Sequence, residues 1–493
     1  MLFEVTPRPR YIEVEAWGRE GTVTFPTYVP GSYVVRELER NIVKIDGFRV
    51  SKNRFYVREN FKYTLYANSK DQREAISTHD YLFINPPAVF PFQDKDEKYC
   101  IKLKVSWPVK TTLREEKDMF CGDSYHEFVD SPIQASPALK TISIDESHEV
   151  STVDDLEVDR IRDVIKEIDK EMGSPQKYVF FFRRSDRNFG GIEHADSSAI
   201  VVPWDKNDIV TLFAHEYFHR WNVKRFRPKD LELDLEVEAY SDLLGFAEGV
   251  TDYVAVLSTL RARGTKVEDI ANYLANAISK LTFPGARMSL AESSRTTWIK
   301  YYKQDENFLN TGISYYDAGM LMGLYLDAKL RERGANIFHI FRNIPNRYTL
   351  NDIDSYLRKM GIEVFEDMIY SPASNLLNYL RELMEIELID AGSPYFGLLM
   401  DGSKVTFVED GSPADIAGLI PQDTILGFDE IARAVRPKPV AELTISREGR
   451  IKRITITAGK NPGHKVKFRL KGKVAQAIAS LDELTGISNI NII

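Results

Sequence analysis

The sequence predicts a multidomain α+β protein with a β-sandwich-like first part, a mainly helical middle and a final part of short strands. Three observations carry this. Residues 1 to about 150 alternate apolar and polar side chains with the period of half-buried strands. From about Leu156 to Leu388 the apolar residues recur at helical spacing, and the turn-rich run Asp390-Ala391-Gly392-Ser393-Pro394 opens another unit. At 493 residues the chain exceeds one ordinary core, and its length points to about three domains.

In the first part, Tyr11-Ile12-Glu13-Val14-Glu15 and Ile101-Lys102-Leu103-Lys104-Val105 have the two-residue alternation of strands, and Pro30-Gly31-Ser32 and Pro86-Pro87 punctuate them. The polar stretch Asp145 to Asp155 marks a boundary, giving a β domain over 1–152. Val153-Asp154-Asp155 then opens a helix with acidic residues in its first turn. A short strand, Lys177 to Phe182, and a glycine-containing segment, Phe189 to Glu193, interrupt the helical region of 153–391. A strand-and-turn domain over 392–462 follows. The remainder, 463–493, reads as a tail with one amphipathic helix bearing Val474, Ile478, Leu481 and Leu484.

Composition narrows the classes. A hydrophobic content of 43% with 28% charged residues is that of a globular chain. The net charge of −8 lacks the basic excess of a nucleic-acid platform. Cys100 and Cys121 have no CxxC spacing, so the sequence predicts reduced thiols, with neither a disulfide framework nor a cysteine metal site. Met1 to Trp17 interleaves charges with apolar residues, unlike a signal peptide, and no run of 18 apolar residues predicts a membrane span. The expected location is cytoplasmic, with no membrane partner.

The strongest signal is His215-Glu216-Tyr217-Phe218-His219. It lies in a segment, Ile209 to Phe226, whose apolar residues recur at helical spacing, with Asp208 as the predicted N-cap and Pro228 beyond the end. Residues four apart on a helix project from one face, so both imidazoles can reach one ion. Zinc accepts imidazole nitrogen, and a catalytic site needs a third protein ligand and a water. Glu216 is placed to act on that water as general base. The nearby acids include Glu232, Asp234, Glu236, Glu238 and Asp242. Only Glu248 and Asp252 lie in an otherwise apolar helix, Leu243 to Leu260, where they sit four apart. A buried carboxylate needs a cation or a proton. A metal for Glu248 and an imidazole N–H for Asp252 would satisfy both, Asp252 fixing the orientation of a liganding histidine.

The run His215 to Pro228, followed by Ala247-Glu248-Gly249-Val250-Thr251-Asp252-Tyr253, resembles the glycyl aminopeptidase family of zinc metallopeptidases that carry a C-terminal PDZ domain. These are gluzincins related to aminopeptidase N and thermolysin. Pro26-Thr27-Tyr28-Val29-Pro30-Gly31-Ser32-Tyr33-Val34-Val35-Arg36 is similar to the family's β-domain signature. The resemblance implies a thermolysin-like catalytic domain, peptide substrates and one Zn2+ per chain held by His215, His219 and Glu248, although cobalt or manganese suits the same donors.

It further implies that Gly190-Gly191-Ile192-Glu193 is the exopeptidase motif. Glu193 would hold the substrate's free α-amino group, and the glycines would let an extended peptide lie close. Ser314-Tyr315-Tyr316-Asp317-Ala318-Gly319 is similar to the aminopeptidase tyrosine motif, with Tyr316 donating to the oxyanion. Ala318 departs from the lysine often found there, which leaves Tyr315 as the alternative donor. The implied activity is release of N-terminal residues, glycine or alanine by resemblance, with Glu216 moving the proton of a metal-activated water.

Tyr395-Phe396-Gly397-Leu398-Leu399 and Gly411-Ser412-Pro413-Ala414-Asp415-Ile416-Ala417-Gly418-Leu419 resemble a bacterial-type PDZ domain. The second run reads as a capped helix with Ser412 at the N-cap, Pro413 first inside and Gly418 past the end. Only Ile431 to Val440, with Pro437 and Pro439, is left for the helix that walls a PDZ peptide groove, so the sequence predicts a shortened domain. Two rival functions stand beside the aminopeptidase: an endopeptidase on the same zinc site, and a non-catalytic PDZ-bearing binding protein.

Overall fold

The computed structural model describes residues 1–206, 208–232, 234–427 and 440–493. They form two compact units, 1–239 and 240–493.

In the first unit, Leu2–Arg8 and Tyr11–Trp17 pair antiparallel, joined by a tight turn with Arg10 at φ 70°. Ile12, Val14 and Ala16 point into the core while Glu13 is exposed, as the alternation predicts. Tyr99–Leu103 runs parallel to Leu2–Arg8 within a seven-stranded sheet. An aromatic cluster of Phe3, Phe90, Tyr99, Tyr125 and Phe128 packs on it. Cys100 lies directly opposite Cys121 on the antiparallel strand Met119–Gly122, Cα atoms 4.1 Å apart, and the two form a disulfide. This corrects the expectation of reduced thiols. A cross-strand partner is fixed by sheet register, which a separation of 21 residues does not reveal. The argument from reduced thiols to a cytoplasmic location loses its ground with it.

A second sheet has the order Lys140–Ser143, His148–Thr152, Tyr178–Ser185, Ser197–Pro203, Gly190–Glu193. The predicted border at 152 therefore falls at the end of a strand inside one sheet. Its parallel strands are buried on both faces, which explains their unbroken apolar runs. The covering helix is Asp159–Met172, which buries Ile161, Val164, Ile165 and Ile168. It starts later than Val153-Asp154-Asp155 predicts, because Asp154 turns its carboxylate to the backbone N–H of Arg184 at 2.6 Å.

In the second unit, Leu243 to Leu260 is not one regular helix. Gly245–Gly249 is a π turn that runs into the α-helix Val250–Ala262. Helices Val267–Lys280 and Tyr315–Arg331 belong to the same unit. After helix Leu376–Leu383 comes the strand Met384–Ile389, which pairs antiparallel with Lys465–Lys471 from Met384↔Leu470 to Ile389↔Lys465. Glu483–Ile487 completes this three-stranded sheet.

The predicted tail thus holds two strands as well as a helix. Its helix is confined to Gly472–Ala479, Leu484 is a buried strand residue, and Ser480 in the left-handed region separates the two. Between the paired strands sits a five-stranded β unit with its own core of Phe396, Leu398, Val405, Ile425, Leu443 and Ile445. Its helix Pro413–Ile416 is capped by Ser412, which accepts from Asp415 N–H, and Gly418 follows at φ 80°, as the sequence predicts. The predicted lack of a groove helix falls on Ile431 to Pro439, outside the described residues.

Candidate active site

The helix Val210–Phe218 carries the first two predicted ligands at its end. It is shorter than Ile209 to Phe226, and Ile209, next to the predicted Asp208, takes the N-cap position. The chain leaves the helix after His219, and Val223 adopts φ 112°, rare for a β-branched residue. The turn brings the Asn222 carbonyl to Nδ1 of His219 at 2.8 Å. A carbonyl only accepts, so Nδ1 carries the proton and Nε2 presents its lone pair. Nε2 of His219 lies 2.9 Å from Nε2 of His215. Two nitrogens bound tetrahedrally to one zinc at about 2.0–2.1 Å would lie roughly 3.3 Å apart, so the pair fits a shared ion after a small adjustment.

Glu216 is buried, and burial pushes its carboxyl up to about 7; His215 and His219 oppose the rise and Glu193 adds to it. Its side chain fills the space beside Gly191, where a Cβ would stand 2.3 Å from the carboxylate. The glycine therefore makes room for Glu216. Gly190 takes φ 141°, a conformation open to glycine. The Gly191 carbonyl accepts from Gln72 Nε2 at 3.0 Å and Arg73 Nη2 at 2.9 Å, which fixes the strand.

Glu193 ends that strand and is 4% exposed. Among the described residues its Oε1 has no hydrogen-bond partner. Gly31, at φ 82°, backs onto it: a Cβ there would lie 2.6 Å from both carboxylate oxygens. Asp130 holds the next residues in place, with Oδ1 3.0 Å from Nδ1 of His194 and Oδ2 accepting from Ala195 N–H at 2.8 Å. Lys224, just past the histidine helix, donates to the same carboxylate at 2.7 Å. Burial alone would raise the Asp130 carboxyl, but Lys224 and His194 outweigh it and hold it well below the usual range.

In the second unit, Glu248 is buried in the π turn. Such bulges place a side chain off the regular helical face. The turn lies against helix Tyr315–Arg331 through facing glycines. A Cβ on Gly249 would sit 2.4 Å from Gly319 Cα, and one on Gly319 would sit 2.1 Å from the Gly245 carbonyl. The Ala247-Glu248-Gly249 and Tyr316-Asp317-Ala318-Gly319 motifs are thereby held together.

Tyr315 is fully buried and accepts from Thr297 Oγ1 at 2.9 Å. Tyr316 is partly exposed, its hydroxyl 3.3 Å from that of Tyr302. Burial and then the Glu248 carboxylate push the Tyr316 phenol well above its usual range, so it stays a protonated donor. Asp252 is half-buried in the first turn after the bulge and raises the nearby Tyr273 phenol.

Sequence reasoning missed four residues that shape this site: Gly31, Gln72, Arg73 and Asp130. Gly31 stands inside a run already singled out, whereas the other three lie far from the motifs they hold and carry no local signal. Paired helix imidazoles beside a buried carboxylate are the side chains of metal-assisted hydrolysis.

Residues 208–322 match the M61 glycyl aminopeptidase family, and residues 11–137 match the peptidase M61 N-terminal domain. With the fold, these matches support a metallo-aminopeptidase. The chain is similar to an aminopeptidase N family protein from Idiomarina loihiensis, at 20% identity over 97% of this chain and 99% of that one, with a TM-score of 0.85. That likeness is one of fold. Weaker likenesses are to the M1 zinc metallopeptidase from Deinococcus radiodurans (11% identity, 75% and 91% covered, TM-score 0.43) and leukotriene A4 hydrolase from Saccharomyces cerevisiae (12%, 75% and 67%, 0.40). No curated protein matches the chain. No helix among the described residues is long and apolar enough to cross a membrane.

Proposed function

We propose that the chain is a zinc aminopeptidase that removes N-terminal residues, glycine or alanine in particular, from peptides. The observation that carries the exopeptidase reading is Glu193: a carboxylate oxygen is buried without a hydrogen-bond partner among the described residues, on the strand whose Gly191 packs against Glu216. An isolated buried carboxylate is costly, and a substrate ammonium is the cation that satisfies it. Glu193 fixes the register by taking the free α-amino group, so that one residue is released per cycle.

His215 and His219, with Glu248 as third ligand, hold the zinc, and Asp252 orients a liganding imidazole. When bound, the ion supplies Lewis-acid polarisation of the scissile carbonyl and of a water. Glu216 accepts the water proton and returns it to the leaving amine, a task suited to a carboxyl pushed up to about 7. Tyr316, its phenol kept protonated by burial and the Glu248 carboxylate, donates to the developing oxyanion, with Tyr315 as the alternative donor.

The test is release of amino acids from free and N-acetylated alanyl and glycyl peptides, with and without a chelator. Chelator-sensitive cleavage of the free peptides alone is expected. Equal cleavage of acetylated peptides would move the assignment to an endopeptidase, and bulk activity surviving in Glu216→Gln would remove the general-base role.

A further inference from the structure

The phenol of Tyr316 belongs to a cluster of four tyrosines drawn from two segments of the second unit. The Tyr301 ring lies 5.3, 5.1 and 5.3 Å from the rings of Tyr302, Tyr315 and Tyr316, and the last two rings are 4.7 Å apart. Ser314 caps the helix Tyr315–Arg331 by accepting from Asp317 N–H, which fixes Tyr315 and Tyr316 as its first two residues. Thr297 ties the other segment to them. Its carbonyl accepts from Tyr302 N–H at 2.9 Å, and its hydroxyl donates to that of Tyr315 at 2.9 Å. Thr297 is buried, so water does not compete for either bond.

The hydroxyls of this cluster form a chain with a direction. A hydroxyl has one hydrogen to give and two lone pairs with which to accept. Tyr315 receives from Thr297, so its own hydrogen is left for another acceptor. Burial chiefly pushes the Tyr315 phenol well above its usual range; the bond from Thr297 opposes the rise, and a bond to Tyr302 adds to it. A donor to a phenol oxygen favours the ionised form and an acceptor of its hydrogen disfavours it, so Tyr315 gives its hydrogen to Tyr302. Tyr302 then has its own hydrogen for Tyr316, whose hydroxyl lies 3.3 Å away. That separation is long for a hydroxyl pair, and catalytic hydrogen bonds of this kind tighten when substrate is bound.

The direction matters because Tyr316 also has a single hydrogen. Were Tyr316 to donate to Tyr302, that hydrogen would be used inside the cluster. With Tyr302 as donor, Tyr316 accepts within the cluster and its hydrogen points away from it. Each bond in such a chain also polarises the next, which makes the last hydroxyl a stronger donor.

We infer that Tyr302 is a positioning residue for the oxyanion step: its hydroxyl donates to Tyr316 and thereby directs the Tyr316 hydrogen to the oxygen of the scissile carbonyl. The inference rests on the reading of Tyr316 as the oxyanion donor. Tyr302 acts through Tyr316 and does not itself touch the substrate.

The experiment compares the zinc-loaded full chain with Tyr302→Phe, Tyr316→Phe and the double variant. Steady-state kinetics are measured on an alanyl peptide, and calorimetry gives the affinity for a phosphinic analogue of that peptide, whose tetrahedral phosphorus oxygen stands for the oxyanion. Thermal melting and zinc content report the integrity of each variant.

Tyr302→Phe is expected to lower kcat about tenfold with KM within about twofold, and to weaken the analogue by a similar factor. Tyr316→Phe is expected to lower kcat about 100-fold or more. In that background Tyr302→Phe should change kcat by less than about twofold, because no hydroxyl is left to position. A Tyr302→Phe kcat within about twofold of the parent, beside an impaired Tyr316→Phe, would overturn the inference and leave the oxyanion reading standing. Losses that multiply in the double variant would give Tyr302 an independent role and overturn it as well. So would a loss accompanied by a lower melting temperature or a raised KM, which marks packing. Full activity in Tyr316→Phe would overturn the oxyanion reading and the inference together.

Discussion

Replacing Gly191 by alanine tests whether this glycine exists to seat the catalytic carboxylate. The new Cβ would lie 2.3 Å from Glu216, about 1.1 Å short of the 3.4 Å at which ordinary contact begins. The strand cannot retreat easily, because its carbonyl is held by Gln72 and Arg73. Glu216 must therefore move by about 1 Å, and a misplacement of that size costs on the order of 100-fold in rate, or about 2.7 kcal/mol of barrier. Steady-state kinetics on an alanyl peptide should show kcat falling about 100-fold, with metal content unchanged because neither imidazole is displaced. In a Glu216→Asp background, where the shorter side chain leaves room, the same substitution should add little to the loss. A single variant with kcat within about threefold of the parent would refute the reasoning.

Gly31→Ala places a Cβ 2.6 Å from the Glu193 carboxylate at φ 82°, so KM for free peptides should rise about tenfold or more while cleavage of acetylated peptides stays absent. Asp130→Asn leaves Lys224 without its buried partner and should destabilise the first unit by about 3–5 kcal/mol at pH 7, read by urea denaturation. The Asp130 carboxyl is depressed in the fold, so its contribution is full above the unfolded value of about 3.9 and fades as pH falls through the folded one. The stability gap between parent and variant should therefore shrink toward pH 3. Gly319→Ala forces a Cβ to within 2.1 Å of the Gly245 carbonyl, a backbone atom, and should lower the melting temperature and abolish activity together.

What the sequence disclosed is what local spacing encodes. The imidazoles four apart, the Ser412-Pro413 helix start with Gly418 after its end, and the alternation at Tyr11–Trp17 each depend on residues a few positions apart. What it concealed depends on register or on long loops. The Cys100–Cys121 bridge follows from strand pairing, the Asp130 clamp reaches 94 residues to Lys224, and the sheet formed by 465–471 takes its partner from 384–389. The π turn at Gly245–Gly249 was hidden for another reason. An apolar run with two acids four apart reads as a regular helix, and only the close approach at Gly319 requires the extra residue in the turn.

The antiparallel pairing that brings Ile389 opposite Lys465 makes everything between them, topologically, the loop of a hairpin. A chain that once turned there in two or three residues could have accepted a self-contained cassette without breaking a hydrogen bond of the host sheet. The same arrangement would let the cassette be excised and the hairpin closed by a short turn. The final residues, which return to the cassette's edge strand, would then lose their hydrogen-bond partners there.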